Sequence, residues 1–429
     1  MIAYPGTIAA MAAEPRDIIF GLTIGDALGT TLDGFSRGHI RSQIPAFSAY
    51  PDPLPALKGA MERWRKPGLY SSVSQFAITL ALISAKPGSL ATAFAEAIAS
   101  SPNLPESEAG IFRHTDAAER GFIARIKGVS ANAAVPAIPS ARILASSSGL
   151  CCLSCRPILL MKEALSYSLL FTRDTATAAA AVTYSFLLRR LLDVETVRDT
   201  ITQSAVGAAI DIRSIIATHP GEIFDAGIIP DDLDAAMRLL SHILASMQEA
   251  EGLEAMENII CELAAPHLRS RITRATVNHP MLLFPFAIAI ASQSPTPYVS
   301  AARMGGAASA LGAICGSLIA ATDGIGFIPE PLAQGLVNRK RICDIMTYIP
   351  PRGKRRDILE DFFNAEKALT EKEEEERRAK TKHGKRKEAP ESRQTQDMRL
   401  TRHVVESWTK LDKARWKKEL KRKKHPDEC

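Results

Sequence analysis

Residues able to do chemistry gather at a few places in this 429-residue sequence. The segment Gly21-Leu-Thr-Ile-Gly25-Asp26-Ala-Leu-Gly29 holds one carboxylate, and a second, Asp33, follows it closely. Asp26 reads as a structural acceptor for loop N–H groups, and Asp33 as a helix cap or loop residue. Gly305-Gly306 stands before an apolar run and reads as a loop entering a helix, whose first N–H groups have no partner within the helix. Ser146-Ser147-Ser148-Gly149 has two readings. A Ser/Gly loop at a helix start can cradle phosphate, and serine is also a favoured N-cap. Cys151, Cys152 and Cys155 have the look of a metal knuckle, but no Cys/His pair stands near them at zinc spacing. They read as buried free thiols.

The elements that must position these residues are helical. From about Asp17 to Pro331 the sequence is rich in Ala and Leu with few strand-like alternations. Pro230 stands where a first helical residue would, with Asp231 and Asp232 in the first turn. Leu233, Met237, Leu240, Leu244 and Met247 then follow at helical spacing. Pro157–Leu170 and Ala176–Leu192 predict two further helices, the second apolar on most faces and therefore interior. Gly25 and Gly29, and again Gly312 and Gly316, are four apart and predict thin faces where helices pack closely. No apolar run reaches the ~18–20 residues of a membrane span, so Leu282–Ala291 and Leu311–Ala321 read as core helices. Met1–Ala13 has no basic residue ahead of its apolar part and is not read as a signal peptide. Seven cysteines without framework spacing argue against a disulfide scaffold and for reducing cytoplasm.

The net charge of +6 is lopsided. Residues 371–429 hold 20 Lys and Arg against 13 Asp and Glu, so the whole excess lies in the tail. The breaker cluster Ile349-Pro-Pro-Arg-Gly-Lys354 divides an all-α body, 15–350, from a charged extension, 351–429. In the extension, Leu359, Phe362, Phe363 and Leu369 suggest a last docking helix. Glu371–Lys387 has almost no apolar residue and reads as solvated helix or disorder. Basic clusters at Lys382–Lys387 and Lys417–Lys424, with Trp408 and Trp416 near the second, suit either nucleic acid or an acidic protein face.

Three landmarks resemble the ADP-ribosylglycohydrolase family. Gly25-Asp26-Ala27-Leu28-Gly29 followed by Asp33 looks like the family's opening Gly-Asp-Ala-Leu-Gly segment and its nearby acidic residue. Tyr70-Ser71-Ser72-Val73-Ser74-Gln75 stands where the family has Tyr-Thr-Asp-Asp-Thr-Gln. Gly305-Gly306-Ala307-Ala308-Ser309-Ala310, continuing through Gly316 to Ile328-Pro329, stands where it has Gly-Gly-Asp-Thr-Asp-Thr, a small-residue helix and an Ile-Pro. Ser146–Gly149 falls near the family's Gly-Asn-Gly loop.

The resemblance implies a compact all-α fold and a site for two magnesium ions held by paired aspartates. Here those positions are Ser72, Val73, Ala307 and Ser309, with Ser71 and Ala310 at flanking threonine positions. Neutral hydroxyls do not compete with water for Mg²⁺, so the expectation is a body without metal or catalysis that serves as a binding or scaffold module. Asp26, Ser146, Ser147, Ser148, Gly149, Gly305 and Gly306 are its candidate contacts to ADP-ribose or a related nucleotide. The alternatives are a metal-free hydrolase using Asp33, which falls near the acidic position beside the family's scissile bond, and a nucleic-acid-associated protein acting through the tail. Asp323 and Glu330 are expected to be solvated.

Overall fold

The computed structural model describes residues 13–84, 90–105, 107–193, 197–268, 278–349 and 356–387. Nineteen α-helices form among them, and no strand. The first helix, Pro15–Thr30, starts with proline at its first position, and its Asp17 carboxylate accepts the Glu14 N–H (2.9 Å). From Gly21 to Thr30 every residue is buried.

The glycine spacing explains why. Gly21, Gly25 and Gly29 form a stripe with no side chain, and the helix Ala308–Asp323 lies against it. A Cβ on Gly21 would meet the Gly316 carbonyl oxygen at 2.4 Å, one on Gly25 that of Gly312 at 1.9 Å, and one on Gly29 that of Ala308 at 2.1 Å. The residue numbers rise on one helix as they fall on the other, so the pair is antiparallel and in backbone contact over just more than two turns. This register brings the chain leaving the first helix, which carries Asp33, to the N-terminus of its partner. The loops there are tied by Gly34 N–H to the Gly306 carbonyl and Gly306 N–H to the Phe35 carbonyl, both 2.8 Å. Gly305 and Gly306 have φ of +67° and +61°, a region that favours glycine.

The expected helices form as Pro157–Phe171, Thr175–Asp193 and Pro230–Met247. The last buries the predicted stripe together with Ile243. Phe76, Phe94, Phe112, Phe122, Tyr167 and Phe171 make an aromatic cluster under the helix Ser72–Ile83. Cys151 and Cys152 are buried in this core with their sulfurs 4.0 Å apart.

The body reaches further along the chain than the breaker cluster suggests. One compact unit runs to Glu375, and a second covers 376–429, of which the helical residues 376–387 are described. Phe362 and Phe363 dock as expected, and Leu359 and Leu369 are half-buried. The expectation that the segment from Glu371 stays out of the core needs correcting, because Glu373 is buried. The physical reason is a polar stripe rather than an apolar one. Glu366, Thr370 and Glu373 lie at i, i+4 and i+7 on the helix Arg356–Lys387 and find polar partners inside the body. The C-terminal basic cluster with Trp408 and Trp416 lies outside the described residues.

Candidate functional site

The site is built where four segments meet: the loop after the first helix, the start of Ser72–Ile83, the helix Ala141–Ser146, and the start of Ala308–Asp323. Ser71 is the N-cap of Ser72–Ile83, its hydroxyl accepting the Val73 N–H. The N–H groups at that helix start have no partner within the helix. Asp26 reaches across from the first helix and supplies one. Its carboxylate accepts from Ser71 N (2.9 Å), Ser74 N (3.1 Å), the hydroxyls of Ser71 and Ser74 (2.6 Å each) and Thr30 Oγ1 (3.0 Å). Asp26 therefore binds N–H groups as expected, but those of a neighbouring helix rather than its own loop.

Asp33 performs the same service for the second helix. Its Oδ1 accepts the Ser309 N–H and its Oδ2 the Ser309 hydroxyl, both at 2.7 Å. Oδ2 also faces Arg65 Nη1 (3.0 Å) and Arg142 Nη1 (3.3 Å). Burial pushes Arg65 below its ordinary range, with Asp33 acting against that shift.

At the centre lies the guanidinium of Arg142, only 5% exposed. Its Nε donates to Glu119 Oε2 (2.9 Å). Nη1 donates to Ser309 Oγ (2.7 Å) and faces Asp33, and Nη2 donates to the hydroxyls of Ser71 and Ser72, both 2.8 Å. A guanidinium has five N–H donors, and here five acceptors meet them. Each serine in turn donates onward to a different carboxylate: Ser71 to Asp26, Ser72 to Glu119 (2.7 Å) and Ser309 to Asp33. Three hydroxyls thus bridge one cation to three anions. Burial opposes the charge on Arg142, but Glu119, Asp33, Asp26 and Asp116 outweigh it and hold the guanidinium above its usual range. Burial pushes Glu119 up to about 7, against the pull of Arg142.

Arg142 and Glu119 were not among the residues singled out from sequence. The available signal was one arginine inside the apolar segment Ser140-Ala-Arg-Ile-Leu-Ala145. A buried charge in such a run demands partners.

The magnesium pair implied by the family resemblance does not fit these residues. Val73 packs into the core, Ala307 and Ala310 offer no ligand atom, and the hydroxyls of Ser71, Ser72 and Ser309 are turned onto a fixed cation. Among the described residues no group of three or more His, Cys, Asp or Glu side chains is disposed to hold a metal ion.

The other candidate contacts are placed differently from their sequence reading. Ser146, Ser147, Ser148 and Gly149 are themselves helical and fully buried, so they form no open phosphate loop. Ser146 and Ser147 donate back to Ile143 and Leu144 carbonyls, and a Cβ on Gly149 would strike the Ala77 carbonyl at 2.5 Å. The N–H groups of Gly305 and Gly306 are not free, since they bond to the carbonyls of Ala302 and Phe35. Asp323 is not fully solvated but is paired with Arg198, while Glu330 is exposed and accepts from Gln334. An open cavity of about 620 Å³ does lie next to the site, lined by Gly34, Phe35, Ser36, Arg37, Gly38, Arg41 and Gly306. Arg37 in its wall is held by a bidentate pair with Glu257 (2.8 and 3.1 Å).

Behind the serine loop stands the C-terminal helix. Glu366 accepts from Tyr70 Oη (2.5 Å), Gln75 Nε2 (2.7 Å) and Arg113 Nη2 (2.5 Å), all buried. Arg113 closes the loop by donating to the Tyr70 carbonyl and, through its N–H, to Gln75 Oε1. Tyr70 and Gln75 flank Ser71–Ser74, so this helix fixes the segment that faces Arg142.

The model of the ADP-ribosylglycohydrolase family matches residues 13–367. A solved structure described as an ADP-ribosylglycohydrolase-related protein complex aligns with a TM-score of 0.47 and 16% identity, over 82% of this chain and 98% of that one. No curated protein matches the sequence. With the family model spanning nearly all of the described body, the chain belongs to the ADP-ribosylglycohydrolase family.

Proposed function

We propose that this chain is a non-hydrolytic member of its family, a binding or scaffold module. The observation that carries the reading is the structural engagement of Asp33. Both of its oxygens are engaged, by the Ser309 N–H and hydroxyl and by two arginines. Oδ2 meets three donors and Oδ1 one, so the carboxylate is held as a structural acceptor whose charge two arginines already balance. That also weighs against a metal-free hydrolase using Asp33, since a general acid or base must reach its proton at ~2.6–3.2 Å.

Among the described residues, the cavity at Gly34–Arg41 offers a ligand of the module an open place near the site. Its volume suits a small molecule, and Arg41 favours an anionic one, the charge of Arg37 being already matched by Glu257. ADP-ribose is the compound to test first, because it matches both the family and the charge of that wall. The tail reading, contact with nucleic acid or an acidic protein face, rests on residues outside those described.

The experiment is a sensitive hydrolysis assay with arginine- and serine-linked ADP-ribosyl peptides, run with Mg²⁺ and then with chelator. No turnover is expected in either condition. Turnover that disappears in an Asp33→Ala variant would sink the reading. Calorimetric titration with ADP-ribose then separates a ligand-binding module, whose heat is lost in Arg41→Ala, from a scaffold that gives no heat.

A further inference from the structure

We propose that the Arg142 guanidinium is a built-in replacement for the family's cation centre, so that the chain's own side chain supplies the positive charge this fold requires. The inference rests on the reading of the site as non-hydrolytic and goes one step deeper, to why the site is closed.

The argument begins with charge. The helix pair and the two capped helix starts bring the buried Asp26 and Glu119 and the part-buried Asp33 into one region, each already committed to structural bonds. Glu119 is not only an acceptor for Arg142; it also accepts the Asp116 N–H (2.7 Å) and so helps start the helix Ala117–Ile126. None of the three is dispensable to local structure. Arg65 balances Asp33 alone, and buried carboxylates without a counter-charge are costly, so Asp26 and Glu119 need a second cation whether or not the protein is an enzyme.

The geometry shows how one is supplied. Arg142 lies on Ala141–Ser146, and the start of that helix is fixed independently: Ser140 caps it through the Ile143 N–H and also donates to Asp116 (2.6 Å). Its side chain is thereby aimed between the two motif segments. There the guanidinium touches Ser71 and Ser72 from one motif and Ser309 from the other. The planar fork with five donors suits a ring of oxygens in a way that the point charge of lysine does not. Aspartates at 72 and 309 would put two more negative charges against the same group. Serines instead relay its charge outward to Asp26, Glu119 and Asp33. Motif positions without carboxylates and an arginine at 142 thus form one electrostatic arrangement.

Thermal unfolding of the full chain tests this with Mg²⁺, with Mn²⁺ and with chelator. For the native sequence the midpoint should be the same in all three. A fall with chelator would overturn the inference, because the fold would then depend on an added metal.

Two variants carry the rest. Arg142→Lys keeps one charge, and Arg142→Met keeps the chain length without it. Removing one partner of a buried ion network is strongly destabilising, so the Met variant should melt on the order of 5 °C or more below the Lys variant. Equal midpoints would show that packing, not charge, is what Arg142 supplies, and would overturn the proposal. Arg142→Ala leaves a gap lined by Asp33, Glu119 and three hydroxyls, so millimolar Mn²⁺ should raise its midpoint and leave the native one unmoved. An Ala variant that folds but ignores Mn²⁺ would mark Arg142 as an ordinary buried ion pair. If the Ala variant does not fold, the Lys-to-Met comparison decides the matter alone. Hydrolytic turnover by the native chain would refute the proposed function and still leave these melting results to judge the cation.

Discussion

A Cβ placed on Gly25 would lie 1.9 Å from the carbonyl oxygen of Gly312, closer than any side-chain atom can approach. The clash is with backbone on both sides, so no rotamer change relieves it. Gly25→Ala should therefore part the two central helices and lower stability by about 3 kcal/mol or more, the upper range for overpacking. Gly38 is the internal control. It sits in the short helix Arg37–Gln43 with nothing within 4 Å of its missing Cβ, and Gly38→Ala should be neutral or gain about 0.5–1 kcal/mol. Denaturant midpoints of the two variants measure the difference, and comparable losses would contradict the packing described.

The central pair was legible because glycines four apart signal a side-chain-free face whatever packs on it. Helices with an apolar stripe, such as Pro230–Met247, were legible for a similarly local reason. The site was legible only in part. Ser71, Ser72 and Ser309 were marked by what they replace, but the cation that binds them lies about seventy residues from one motif and over one hundred and sixty from the other. No local pattern connects Arg142 to them. Glu373 was missed for a related reason. A run of glutamates reads as solvated by composition, while burial of one member depends on His114 and the Lys66 N–H, which are remote in sequence.

The C-terminal helix is predicted to be part of the body as far as Glu375. A chain ending at residue 355 loses Phe362, Phe363 and Glu366 together and leaves Arg113 without its carboxylate. That loss should be on the order of 3–5 kcal/mol for the uncompensated charge alone. Glu366→Gln isolates the charge from the apolar contacts and should produce the larger share. Circular-dichroism melts of the three proteins suffice, and a stable chain ending at 355 would refute the role given to Glu366.

Acid should weaken the same contact in a defined window. Burial acts to raise Glu373, but His114, with the Lys66 N–H and Arg113 assisting, overcomes this and holds its carboxyl down at about 2. In the unfolded chain a glutamate titrates near 4.3. The depressed group stabilises the fold above the unfolded value, and that stability is lost as pH falls through the folded one. The gap between native chain and Glu373→Gln should be present at about pH 5 and close towards pH 2. Its full size is on the order of 3 kcal/mol from the separation of the two values. Melting both proteins across this range checks it. A gap that widens on acidification would reverse the sign and remove Glu373 as a charged anchor.

The serine bridges make the most specific prediction about the site. Ser72→Ala and Ser309→Ala each remove one acceptor from Arg142 and one donor from a carboxylate, Glu119 in the first case and Asp33 in the second. Each should cost about 1–3 kcal/mol, the penalty of unsatisfied buried partners. The two serines lie in different motifs and touch each other only through the guanidinium. If Arg142 is a shared cation, loosening one side lets it shift towards what remains, and the second loss then differs from the first. A double-mutant cycle should show a coupling of at least about 0.5 kcal/mol between Ser72 and Ser309. Repeating the cycle in Arg142→Met should abolish that coupling, because the only group joining the two hydroxyls is gone. Strict additivity in the native background would mean that the two motifs are stabilised independently and that Arg142 does not join them.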